Sequence, residues 1–100
     1  MQVQDIAKGI SARAIGDLKA KGIDLSTALE SRARDAAAAL ALTQLEALAG
    51  LDVTESQKVA QARFDNITAA GSQGIANALV GSVRSAILEG LELLVITAAG

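Results

Sequence analysis

The chain has no cysteine, histidine, proline, tyrosine or tryptophan, and Phe64 is the only aromatic among its 100 residues. Without cysteine there is neither a disulfide framework nor a thiolate nucleophile. Without histidine the commonest general base is gone, and the two absences together remove the usual zinc ligands. What remains for chemistry is carboxylate, hydroxyl, amine and guanidinium. A single aromatic supplies no platform for stacking bases. The missing prolines act in the opposite sense, since a proline inside a helix costs about 3 kcal/mol and nothing here imposes that cost.

Charge of one sign is also lacking. Nine basic residues stand against eleven acidic ones, six of each sign in the first fifty positions and three against five in the second fifty. No basic patch exists to neutralise phosphates, so nucleic acid is not an expected partner. The opening stretch MQVQDIAKGISARAIGDLKAKG has no uninterrupted apolar core of signal-peptide length, and synthesis in the cytoplasm is the expectation. Asn66-Ile67-Thr68 matches a glycosylation acceptor, which without a secretory signal reads as coincidence.

What the chain does have is alanine, at 22 positions; with Glu, Lys, Leu and Arg it makes 49 of the 100 residues. About half from these five residues, with helical periodicity, is the composition of long helices. The expected fold class is all-α, three to four helices in an antiparallel hairpin or bundle forming one domain. The apolar fraction is 51% before the nine glycines are added, for a mean hydropathy of +0.38. A domain this small buries only roughly 60–65% of the surface its unfolded chain exposes. Completion of the bundle by oligomerisation is therefore expected.

Four helical stretches follow from the spacing, at about 3–20, 27–49, 54–70 and 75–96. In the first, Val3, Ile6, Ala7, Ile10, Ala14 and Leu18 recur every three or four residues, and Gly22 is placed for a left-handed C-cap. Thr27 to Glu30 has the form of a capping box, with Glu30 and Arg34 an i,i+4 pair. The run AAAALALTQLEALAG is apolar nearly all round, which predicts a central helix buried on several sides. Thr54 to Gln57 repeats the capping pattern, with Val53 as a hydrophobic staple. Val59, Ala60, Phe64, Ile67 and Ala70 then share a face. The glycines of AAGSQG predict a break near 71–74, the alternative being one helix bent through them.

The last stretch, Gly74 to Gly100, holds eleven large aliphatic residues and three charges. Wound at about 100° per residue, Ile75, Leu79, Val80, Val83, Ile87, Leu91 and Leu94 fall within a sector of roughly 160°. Asn77, Arg84, Ser85, Glu89 and Glu92 lie opposite, with Leu88, Val95 and Ile96 intruding. Spanning a bilayer would place Arg84 and Glu89 near its middle, at about 2.5–3.5 kcal/mol each, against roughly 0.3–0.6 kcal/mol gained per aliphatic residue. One arginine against two glutamates also suits an anionic lipid surface badly. Membrane insertion is thus disfavoured. A second pattern overlies the first. Ala70, Gly74, Ala78, Ser82, Ala86 and Gly90 recur at every fourth position, a row of small residues along which another helix backbone can come close. Leu93 to Thr97 is β-branched and continuous enough to leave the helix as an extended arm, although helix continuation is the expectation.

Candidate chemistry is sparse. Glu89 and Glu92 share a helix face, but two carboxylates without helping oxygens make a poor cation site. Ser72 lacks the spacing of a phosphate loop or a nucleophile elbow. Neither an enzyme nor a cofactor is expected. In composition, this Ala-rich, aromatic-poor, proline-free chain resembles small helical parts of phage virions and secretion machinery, while the Trp-x-Gly turn of hundred-residue helical secretion substrates is absent. The leading expectation is a structural subunit that packs with itself or with other proteins in a multi-copy assembly such as a virion, as a homo-oligomer. Its contacts are assigned to the row Ala70, Gly74, Ala78, Ser82, Ala86, Gly90 and the face Ile75, Leu79, Val83, Ile87, Leu91, Leu94. A soluble binding or regulatory module offering an apolar groove to a partner helix comes second, and a membrane-active helical protein third.

Overall fold

A computed structural model describes the backbone of residues 3–69 and 73–99 and the side chains of residues 4–69 and 74–89. The described residues form four helices and no strand: α1 Val3–Ala20, α2 Thr27–Leu48, α3 Thr54–Ala69 and α4 Gln73–Ala99. Residues 93–97 continue α4, so the extended arm is not formed. α3 and α4 are separate elements. The principal extents are 44 × 31 × 19 Å, and the smallest of them is about two helix diameters.

The helix ends follow from local chemistry. Gly22 sits at φ +83° and Gly50 at φ +77°, the left-handed region that glycine enters without penalty. At the first, Ile23 N–H donates to Leu18 O and Gly22 N–H to Lys19 O; at the second, Leu51 N–H donates to Glu46 O and Gly50 N–H to Ala47 O. Both are Schellman closures, which satisfy carbonyls that the helix end would leave unpaired.

The helix starts differ from the capping boxes that the sequence suggests. Ser26, not Thr27, is the N-cap of α2, its Oγ accepting from Leu29 N–H at 3.2 Å. The residue three places on is then leucine, so Glu30 cannot close a box and instead pairs with Lys19 and with Arg34, the latter at 3.3 Å. At α3 it is Asp52 that caps. Its Oδ1 accepts from Thr54 N–H at 3.0 Å and from Thr54 Oγ1 at 2.7 Å. A carboxylate two residues ahead satisfies the amide of the first helical residue and adds charge that the helix N-terminus favours.

α2 is central and touches the other three helices. α1 runs antiparallel to it: Ser11 Oγ donates to Arg34 O at 2.7 Å near one end, and Lys19 meets Glu30 near the other. α3 returns along α2, with Ser56 Oγ donating to Glu46 Oε1 at 2.6 Å and Arg63 3.8 Å from Asp35. α4 lies on α1 and α2 and, among the described residues, meets α3 least.

The core joins Ile10, Ile15 and Leu18 of α1 to Ile67 of α3 and to Leu79, Val83 and Ile87 of α4. The part α2 contributes is alanine: Ala33, Ala36, Ala37 and Ala41 are each 0% exposed. The α2 leucines lie outside this layer, Leu40, Leu42 and Leu45 half-buried and Leu48 63% exposed. Ile6 and Val59, placed on apolar faces by their spacing, are exposed.

Candidate protein-interaction surface

The structure divides the small-residue row of α4. Ser82 and Ala86 are buried and line the same cleft as Arg13, Gly16 and Asp17, so this part of the row faces α1 of the same chain. Ala78 is half-buried. Gly74 is exposed, and a methyl group added there would meet nothing within 4 Å. Ala70 and the surroundings of Gly90 lie outside the described residues. On the apolar face, Leu79, Val83 and Ile87 are buried in the chain's own core and Ile75 is half-buried, while the side chains of Leu91 and Leu94 are outside the described set.

The α1–α4 cleft is polar, with a volume of about 460 Å³. Arg13, Asp17 and Lys21, one helical turn apart from each other, present alternating charge toward Ser82, Ser85 and Glu89. Ser82 Oγ donates to Asp17 Oδ2 at 2.7 Å, Lys21 Nζ stands 3.0 Å from the same oxygen, and Arg13 pairs with Glu89. The Ser82 hydroxyl, then Lys21, hold the Asp17 carboxyl below the usual carboxylate range. A carboxylate so stabilised is a weaker base than a free one. Among the described residues no group of three or more carboxylates gathers to hold a metal ion, and Glu89 of the candidate Glu89–Glu92 pair is engaged by Arg13.

Two further clefts have mixed linings in which apolar surface predominates. The larger, about 630 Å³, opens between α2, α3 and α4 and is lined by Leu40, Phe64 and Val80, with Gln44, Gln57 and Gln61 among its polar lining. The smaller, about 390 Å³, is lined by Gln44, Ala47, Leu48, Arg84, Ile87 and Leu88. Gln44 and Ala47 line both clefts. In the lining of the smaller, Leu48 of α2 and Leu88 of α4 are 63% and 57% exposed, and Leu51, just beyond α2, is 57% exposed.

Leucines exposed on adjacent helices around a shared cleft form a patch, unlike scattered single ones. The spacing in sequence flags Leu88 as an intruder on the polar face of α4, but it assigns no contact role to Leu48 or Leu51. Nothing in the sequence pairs Asp17 with Ser82, 65 residues apart.

No family model matches the chain, and no curated protein or solved structure is detectably similar to it. Among the described residues no helix is long and apolar enough to cross a membrane.

Proposed function

We propose that the chain is a non-enzymatic helical subunit that works by packing against copies of itself in a larger assembly, of the kind that builds virions and secretion machines. The observation that carries this reading is the leucine edge, where Leu48 and Leu88 flank one apolar cleft in water. Surface area supports it. The chain exposes 6164 Å², whereas a compact monomer of its mass exposes about 5,300 Å². The excess, about 900 Å², is close to the roughly 800 Å² that each partner contributes to a standard interface. The buried members of the α4 row and face serve this function indirectly, by fixing α4 on α1 and α2 so that Leu88 stands beside Leu48.

A second reading has its own observation. The groove of about 630 Å³ between α2, α3 and α4 is apolar at Leu40, Phe64 and Val80. A partner helix laying its apolar face there would make the chain a binding module.

Size-exclusion chromatography with light scattering, over a wide concentration range, tests the first reading. The expected result is a discrete oligomer or a growing polymer that Leu48→Glu and Leu88→Glu each dissociate, because a charge buried in the interface stays unpaired. A mass of 10.1 kDa at every concentration removes self-association and leaves the groove reading in its place.

A further inference from the structure

We propose that two copies of the chain pair about a two-fold axis through the leucine edge, with Arg84 of each copy set against Asp52 of the other. This rests on the self-association proposed above and specifies its form. The edge is an uncovered length of the core face of α2. Wound at about 100° per residue, Ala33, Ala37, Ala41, Gln44, Ala47 and Leu48 fall within a sector of roughly 120°. Ala33, Ala37 and Ala41 have no exposure, Gln44 is half-buried, and Ala47 and Leu48 are exposed. One face is thus sealed at its start and wet at its end. At the wet end lies the cleft of about 390 Å³ whose lining Leu48 shares with Leu88 of α4. Removing these leucines from water is favourable, and only a second surface can do it.

Two charged groups beside the leucines identify that surface. Arg84 lines the cleft and, among the described residues, is in no ion pair. Beyond Leu51, at the turn into α3, Asp52 is fixed by the bonds that Thr54 N–H and Oγ1 donate to its Oδ1, while its Oδ2 takes none among the described residues. The patch therefore carries apolar side chains, a cation without an anion and a fixed carboxylate without a cation. Such a surface complements itself. Under a two-fold axis residue i of one copy meets residue j of the other and j meets i, so leucines meet leucines and both Arg84–Asp52 pairs form at once. Area favours the same arrangement. The excess exposed surface of about 900 Å², placed on one patch, matches the share of one partner in a standard interface. Divided between two unlike patches, as head-to-tail packing requires, it would leave each well short.

A double-mutant cycle on the dimer dissociation constant, read by sedimentation equilibrium, tests the pairing. Arg84→Gln removes the cation from an exposed helical position at little change in helix propensity. Asp52→Asn removes the charge and keeps a side-chain oxygen to cap α3. Helix content by circular dichroism checks that both variants fold. The expected result is a discrete dimer whose dissociation constant rises about ten-fold in each single variant, both pairs being lost together, and no further in the double variant. Added salt should weaken the parent dimer more than the double variant. A dimer that Leu48→Glu and Leu88→Glu dissociate, but in which the two charge losses multiply or have no effect, overturns the pairing and leaves the leucine edge as the contact. A mass above that of a dimer overturns two-fold closure and leaves self-association standing. A mass of 10.1 kDa throughout removes both.

Discussion

Around α2 the molecule has a closed side and an open side. On the closed side α1 and α4 share a core with Ala33, Ala36, Ala37 and Ala41, all without exposure, and the buried hydroxyl of Ser82 donates across to Asp17. On the open side α3 faces α4 across a groove whose lining includes Gln44, Gln57 and Gln61. The difference lies in side-chain size and in water. Alanines at 33, 37 and 41 repeat every fourth residue and let helix axes approach, so the apolar atoms of the neighbours fill the space between. Glutamines that closed over one another would have to exchange water for partners of equal quality, and the helices remain apart where that exchange is not available. The alanine-rich helix thus closes most tightly where its residues are smallest and leaves its last leucine, Leu48, in solvent.

The largest effect expected from this comparison comes from neighbouring residues on α4. Leu79 is 0% exposed in the closed core, and Leu79→Ala should cost about 2–5 kcal/mol, transfer and cavity together. Val80, half-buried at the groove, should lose only about 1 kcal/mol on truncation to alanine. Urea denaturation of both variants reads the difference, and equal losses would show that the groove side is as tightly packed as the core. The next effect reverses the direction of the change. Ala37→Leu inserts three heavy atoms where no space exists and should destabilise by about 1–3 kcal/mol. Ala47→Leu adds the same atoms beside both apolar clefts and should leave the melting temperature unchanged or higher. A destabilisation at Ala47 as large as that at Ala37 would close the open side.

Much of this asymmetry was hidden from the sequence, though the helices were not. Spacing and glycine placement locate four helices with bounds within three residues of the structure, the largest gap being the end of α4 at Ala99 rather than 96. The signals there are local, as with Gly22 and Gly50, whose left-handed φ belongs to the residue itself. Which face of a helix goes inward is a tertiary matter. The run around Ala36 to Leu48 is apolar nearly all round, so periodicity cannot say that the alanines go in and Leu48 stays out. The longest row of small residues in the sequence is on α4, from 70 to 90, yet the alanines with no exposure are Ala14 on α1 and Ala33, Ala36, Ala37 and Ala41 on α2. Ser11 carries no signal in the sequence and Ser82 counts there only as a small residue of the α4 row, because their acceptors, Arg34 O and Asp17, arrive from other helices.

Acid distinguishes the two sides more gently. Asp17, held below its usual pKa first by the Ser82 hydroxyl and then by Lys21, belongs to the closed side. Asp52, lowered by the Thr54 hydroxyl and amide, caps α3 on the open side. Both folded-state pKa values lie beneath the unfolded value of about 3.9. Each group's contribution is therefore complete above that value and lost as pH falls through the folded pKa, when the unfolded chain binds the proton more readily than the native one. Asp17→Asn should lower stability at neutral pH and flatten the acid limb, because the variant has no proton to gain there. Ser82→Ala should flatten it less, since Lys21 still favours the charged Asp17. Asp52→Asn should also flatten the limb, but without weakening the Ser82–Asp17 bond at neutral pH. Circular dichroism followed from neutral to acid pH, on all three variants and the parent, gives the comparison. An acid limb in Asp17→Asn as steep as the parent's would mean that Ser82 donates to water in solution, and the closed side would then rest on apolar packing alone.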